Sequence, residues 1–306
     1  MAQVVGFVMC FGIGANDAAN SWGTSVGSGA ISLTQAVLLG GVMEWLGALG
    51  LGYGVAKTIK GWFCFLFCEM SLYMVAMTAA LFAAGVFLIL VTFTAMPVST
   101  THAIVGGTVG AAAVGAGWAC LNWDFDGGLA GIIASWVISP IMSGCVGVIM
   151  YWLTHHLIVK ARLGGVDATF MFRYLLVYTA ALESFAHGAN DTANATGPFR
   201  RPQTPAWIMA VAGFGVFLGV TTFGYRVIRT IGKELTEINY QRGFCIEFAS
   251  TLTVVVATVL EMPVSTTHCQ VGAVVFVGAA AFGRKRVAWG LAGRIALTWV
   301  LTLPFA

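Results

Sequence analysis

Charge is what this 306-residue sequence has least of. Only 9% of its residues are Asp, Glu, Lys or Arg, against about 25% in a soluble domain, while 58% are hydrophobic and the mean hydropathy is +0.88. The apolar excess runs the whole length, which excludes a water-soluble body carrying one anchor or a signal peptide. What remains is a polytopic membrane protein. The 15 Lys and Arg against 12 Asp and Glu leave a dispersed net charge of +3, which excludes a nucleic-acid-binding surface. Catalytic apparatus is missing too: there is no nucleophile–base set, no Gly-rich nucleotide loop and no HExxH, so no enzyme is expected. The seven cysteines (Cys10, Cys64, Cys68, Cys120, Cys145, Cys245 and Cys269) show no metal-ligand spacing. The one close pair, Cys64 and Cys68, is spaced for a single helix face, and all seven read as small packing residues.

Apolar stretches near the ~20 residues of a membrane-spanning helix run from Ile31 to Ala56, Met70 to Ala95, Leu129 to Trp152, Pro205 to Tyr225 and Phe244 to Leu260. Shorter ones, Ala2 to Ile13, Ala103 to Ala119, Tyr174 to Ala186, Cys269 to Phe282 and Val287 to Ala306, abut Gly, Pro, Asn or Ser/Thr clusters. These are expected to be half-helices or broken helices. A polar connector over 155–173 separates a first repeat, 1–154, from a second, 174–306.

The two halves repeat each other. Gly14-Ala15-Asn16-Asp17-Ala18-Ala19-Asn20 returns as Gly188-Ala189-Asn190-Asp191-Thr192-Ala193-Asn194, and Met96-Pro97-Val98-Ser99-Thr100-Thr101-His102 returns unchanged as Met262 to His268. Each half holds five apolar segments, two of which flank the Ser-Thr-Thr motif as a possible re-entrant hairpin. Five crossings, or three plus a hairpin, are both odd, so the second half is turned upside down, the plan of many secondary transporters. Charge agrees. With the connector cytoplasmic, ten Lys and Arg (Lys160, Arg162, Arg173, Arg226, Arg229, Lys233, Arg242, Arg284, Lys285, Arg286) face the cytoplasm and four (Lys57, Lys60, Arg200, Arg201) face away, as the positive-inside rule requires. The fold class expected is all-α and polytopic, two inverted repeats with broken helices and re-entrant hairpins.

Asp17, Glu44, Asp191 and Glu247 lie within or beside apolar segments, where a charge costs several kcal/mol unless it meets a partner, water or an ion. A lone Glu such as Glu44 could pair structurally. The duplicated Asn-Asp pairs are harder to dismiss, since inverted halves bring both toward a shared axis. A helix break at each pair would free carbonyls that, with Asp carboxylates and Asn amide oxygens, form a hard-oxygen cage suited to sodium. The Pro-Val-Ser-Thr-Thr-His copies carry a different chemistry. Pro pre-sets an entering turn, and the hydroxyls of Ser99, Thr100, Thr101, Ser265, Thr266 and Thr267 then stand beside the unpaired N–H groups of the next half-helix. Two such tips from opposite leaflets suit one small tetrahedral oxyanion. His102, His187 and His268 adjoin these motifs and are candidates for orienting a hydroxyl or sensing a proton, although each alone is more often a packing residue. Asn194-Ala195-Thr196 matches a glycosylation sequon but falls inside the duplicated motif and is discounted.

These residues resemble the inorganic phosphate transporter (PiT) family. The resemblance is carried by Gly14 to Asn20 with Gly23-Thr24-Ser25-Val26-Gly27-Ser28, by His187 to Asn194 with Gly197-Pro198, and by both Pro-Val-Ser-Thr-Thr-His copies, and it covers nearly the whole chain. It implies uptake of inorganic phosphate coupled to sodium or, in some branches, to protons, through an inverted-repeat fold that is commonly a homodimer. Asn16, Asp17, Asn190 and Asp191 would then bind the coupling cation and the two Ser-Thr-Thr clusters phosphate. Gly243 to Ser250 and Ser184 to His187 look like the eukaryotic sodium-coupled branch, which implicates acids at Glu44 and Glu247 in transport. A lipid bilayer, the plasma membrane rather than an organelle's, is the expected location. Proton-coupled phosphate or sulfate symport is the alternative, and an anion channel, for which no continuous polar stripe is found, is the rival class. The family has a longer interhalf insertion in animals and runs on beyond Leu303-Pro304-Phe305-Ala306, so trimmed termini are expected.

Overall fold

In lipid every backbone N–H and C=O must be satisfied internally, and a helix does this within one segment. The computed structural model describes residues 2–59, 70–115, 117–118, 121–125, 128–161, 168–196, 206–260 and 264–306, and no strand occurs among them. The first half contains α1 (Ala2–Gly27), α2 (Leu33–Ile59), α3 (Met70–Thr92), α4 (Thr100–Gly115) and α5 (Leu129–Ala161). The second contains α6 (Ala168–Thr196), α7 (Ala206–Phe223), the short α8 (Tyr225–Arg229) running into a π-helical turn (Thr230–Glu234), α9 (Tyr240–Val259), α10 (Thr266–Phe282) and α11 (Trp289–Phe305). Helices α2, α3, α5, α7 and α9 are long and apolar enough to cross a bilayer. The 16 residues of α4 and 17 of α10 fall short of that length, and both begin just after a Pro-Val-Ser motif. They are the second arms of the two hairpins.

Helix packing follows the repeat. Helix α2 lies on α6 as α1 lies on α7, α5 lies on α10 as α4 lies on α11, and α1 meets α3 as α6 meets α9. The chain is an all-α polytopic membrane protein built from two inverted repeats with re-entrant hairpins. Its polarity is inside out. Val75, Phe82, Val137, Ile149 and Val300 are exposed while Asn16, Asp17, Glu44, Glu183, His187, Asp191 and Glu247 are fully or almost fully buried, which suits a surface facing hydrocarbon. Helix α5 runs past residue 154 to Ala161 and α6 starts at Ala168, so the 155–173 connector is helical at both ends.

One expectation is overturned. Neither α1 nor α6 breaks at its Asn-Asp pair: both run continuously through it, so Ala2–Ile13 and Tyr174–Ala186 are parts of long helices. The glycines that suggested a break serve close approach instead. A Cβ on Gly14 would sit 2.1 Å from the Val216 carbonyl oxygen, and one on Gly188 2.0 Å from that of Glu44. No carbonyls are released at the Asn-Asp pairs. Cys64, Cys68, Arg162, Gly197, Pro198, Arg200, Arg201, Met262 and Pro263 lie outside the described residues.

Candidate functional site

Helical spacing puts Asn16, Asp17, Asn20 and Thr24 along one side of α1, and Glu183, His187, Asn190, Asp191 and Asn194 along one side of α6. All are at most 1% exposed. Between these stripes the two hairpin tips interlock. The Thr101 hydroxyl donates to the Val264 carbonyl at 3.3 Å, and Thr267 donates to the Val98 carbonyl at 3.1 Å. Each contact is the other's copy with the halves exchanged.

The tips are built by capping and bracing. The Ser99 hydroxyl accepts from the His102 N–H at 3.2 Å and Ser265 from the His268 N–H at 3.3 Å, so each serine caps a half-helix and keeps its own hydrogen free to donate. Asn16, expected in the cation cage, accepts from the Val98 N–H at 2.9 Å and donates to the Met96 carbonyl at 3.1 Å. It holds the chain entering the first hairpin, and Asn190 reaches the corresponding Thr258 hydroxyl at 3.3 Å. Behind the tips His102 donates from Nδ1 to the Trp299 carbonyl at 3.0 Å and His268 to the Trp136 carbonyl at 2.9 Å, with ring centroids 4.6 Å apart. These two histidines join the halves and stand outside the ring of hydroxyls and carboxylates.

That ring centres on Asp17 and Asp191. The Thr267 hydroxyl also lies 3.4 Å from Asp17 Oδ1, an alternative acceptor for its hydrogen, Thr266 donates to Asp191 Oδ2 at 3.4 Å, and Thr100 also hydrogen-bonds Asp17. Asn20 donates to Thr266 and Thr267 at 3.3 and 2.9 Å, and Asn194 to Asp191 at 3.2 Å. His187 ties the carboxylates together. Its Nε2 lies 2.7 Å from Asp191 and 3.5 Å from Asp17, and its Nδ1 lies 3.2 Å from Glu44 on α2. Ligand atoms of Asp17, His187 and Asp191 all fall within 4.8 Å of one another. The amide oxygens of Asn20, Asn190 and Asn194 are buried acceptors with no hydrogen-bond donor among the described residues. Buried oxygens without donors are what a small hard cation would fill.

The family model for the phosphate transporter family matches residues 13–306. The chain belongs to the phosphate transporter family. A protein of Pyrococcus abyssi named as a phosphate permease is 33% identical over 100% of this chain and 94% of its own length. The chloroplastic inorganic phosphate transporter 2-1 of Arabidopsis thaliana is 31% identical over 98% of this chain and 68% of its own length. A solved structure described as the sodium-dependent phosphate transporter aligns with a TM-score of 0.88 at 30% identity, over 99% of this chain and 94% of that one. The family is one of transporters, not enzymes, and this member is an integral membrane protein.

Set beside the expectations, the structure gathers Asp17, Asp191, Thr100, Thr266, Thr267 and His187 at one place, with Glu44 reached through His187. Glu247 stands apart. It pairs with Glu183, Thr24 and Gln270, and Glu183 is an acid that sequence reasoning passed over although it interrupts an apolar run. Asn20 and Asn194 were also passed over; their signal was that each closes its copy of the repeat.

Proposed function

We propose that this chain is a secondary active transporter that carries inorganic phosphate together with sodium by alternating access, the two repeats, 1–154 and 174–306, exposing the shared site to one side at a time. The observation that supports this most is the presence of two carboxylates among the hydroxyls of the tips. A phosphate accepting from Ser99, Thr100, Ser265 and Thr266 would face Asp17 and Asp191 at close range in a dry interior, where like charges repel strongly. A sodium ion between each carboxylate and the phosphate reverses that sign. Cation and anion then each complete the other's site, which is coupling. Asp17, Asp191, Asn20, Asn190, Asn194 and the tip hydroxyls supply the oxygens, and Asn16 keeps the first hairpin in place.

A second reading, proton in place of sodium, is favoured by His187, which occupies the gap between Asp17, Asp191 and Glu44. Radiolabelled phosphate uptake into proteoliposomes under a sodium, potassium or proton gradient separates the two. Uptake above the equilibrium level with inward sodium alone is the expected result. Equal uptake under potassium would remove the coupling and leave a channel, and excess unlabelled sulfate should compete only weakly.

A further inference from the structure

The inverted repeat is nearly symmetric at the tips and sharply asymmetric one layer away. Gly188 corresponds to Gly14, an offset of 174, and Ser265 to Ser99, an offset of 166. Glu183 therefore corresponds to Met9, Glu247 to Leu81, Ser250 to Ala84, Thr251 to Gly85 and Gln270 to Ile104. The correspondence is spatial: a Cβ at Gly85 would meet the Met9 backbone at 3.0 Å, just where Thr251 donates to Glu183. In the first half this place is ordinary apolar packing. In the second it holds two carboxyls and four polar side chains.

Each carboxyl is dressed separately. Thr24 of α1 donates to Glu247 Oε1, and Gln270 Nε2 of α10 donates to the same oxygen at 2.9 Å. Ser250 donates to Glu183 Oε1, and Thr251 to Glu183 Oε2 at 3.2 Å. The carboxyls are themselves within hydrogen-bond reach of each other. Yet Glu247 Oε2 and Gln270 Oε1, in side chains with no exposure, have no hydrogen-bond donor among the described residues. Glu247 Oε2 is one hydrogen short. No Lys or Arg is paired with either acid among the described residues. The four donors present touch their acceptors directly.

We propose that Glu183 and Glu247 form a shared-proton site, a carboxyl and a carboxylate holding one hydrogen between them across α6 and α9, clamped to α1 through Thr24. Two carboxylates at this distance cannot both ionise in a dry interior, so the pair takes up its proton as a unit. Losing that proton places two adjacent anions between α6 and α9, and the clamp opens. Other titratable or charged groups on the elements packed there are Cys10 and Asp17 on α1, Glu44, Tyr53 and Lys57 on α2, His102 on α4, Arg173, Tyr174, Tyr178, His187 and Asp191 on α6 itself, and His268 and Cys269 on α10, with Cys145, Tyr151, His155, His156 and Lys160 on α5, Tyr240, Arg242 and Cys245 on α9 and none on α7. His187, one turn along α6 from Glu183, engages Asp17, Asp191 and Glu44 instead.

The proton site itself does not depend on the cargo; its effect on uptake rests on the carrier reading above. Infrared difference spectra of the purified full chain, in potassium buffer without phosphate, read the pair directly. A protonated-carboxyl band present at neutral pH should disappear on alkaline titration and be missing from Glu183→Gln. Should that variant fail to fold, Glu183→Met with Glu247→Leu, which copies the Met9–Leu81 packing of the first half, serves the same comparison. Identical bands in parent and variant, or a band removed by sodium at constant pH, would overturn the proposal. In proteoliposomes at saturating sodium, the alkaline fall in uptake shown by the parent should be lost in Glu183→Gln with the sodium activation curve unchanged. An unaltered alkaline fall would disconnect the pair from transport.

Discussion

Gly188→Ala is the smallest change that reaches the centre of this arrangement. The new methyl would lie 2.0 Å from the Glu44 carbonyl oxygen and 2.5 Å from its Cα, backbone atoms that cannot swing aside. Ordinary contact begins near 3.4 Å, so α2 and α6 must separate by about 1.4 Å, enough to stretch the 3.2 Å contact of His187 with Glu44 beyond hydrogen-bonding range. Overpacking costs roughly 1–3 kcal/mol and the lost charged hydrogen bond roughly 1.5–3 kcal/mol, offset by the ~1 kcal/mol that Ala gains over Gly in a helix. The net expectation is a loss of about 2–5 kcal/mol, read as a lower melting temperature of the purified protein together with weaker sodium activation of phosphate uptake. Gly110→Ala is the control, since its Cβ meets nothing within 4 Å; it should be neutral or slightly stabilising. Gly14→Ala isolates the charge, because it wedges α1 from α7 at Val216, where no acid stands. It should lower the melting temperature less, through overpacking alone, and disturb sodium activation less. A Gly188→Ala protein that melts at or above the parent, with normal sodium activation, would refute the close α2–α6 packing and the role given to it.

Thr100→Val and Thr266→Val keep shape and remove a donor, so each should weaken phosphate recognition by about 1–3 kcal/mol, a rise of roughly 5- to 150-fold in apparent KM; an unchanged KM in both would return the tips to a structural role. Ser99→Ala and Ser265→Ala should in addition lower the melting temperature, because they remove helix caps worth roughly 0.5–2 kcal/mol. For topology, single cysteines at Arg284–Arg286 and at Trp123–Phe125, introduced after replacement of the native thiols, should be labelled by an impermeant reagent from opposite faces, the former from the cytoplasm. Labelling from one face would undo the inversion.

The duplicated motifs made the repeat, the hairpins and most of the central ring legible, because two copies of a polar heptad in an apolar chain have few other uses. The continuity of α1 and α6 was not legible. A glycine before Asn-Asp reads equally as a break or as a contact, and only the Val216 and Glu44 carbonyls opposite Gly14 and Gly188 decide it. Nor does spacing show that Asn16 would turn to the hairpin entrance while Asn20, one turn further on, would reach the threonines of the other half. Glu183 escaped for a related reason. A single acid in an apolar run declares a need for a partner without naming it, and its partner Glu247 lies in another helix, beside polar donors from three different elements.

Phosphate should not settle beside Asp17 and Asp191 unless sodium is bound with it. Equilibrium binding of radiolabelled phosphate to the purified protein, measured with sodium and with choline replacing it, tests this without any transport step. The account predicts binding in sodium and none in choline, and a loss of the sodium requirement when Asp17→Asn and Asp191→Asn are combined. Equal phosphate affinity in sodium and choline for the parent protein would contradict it.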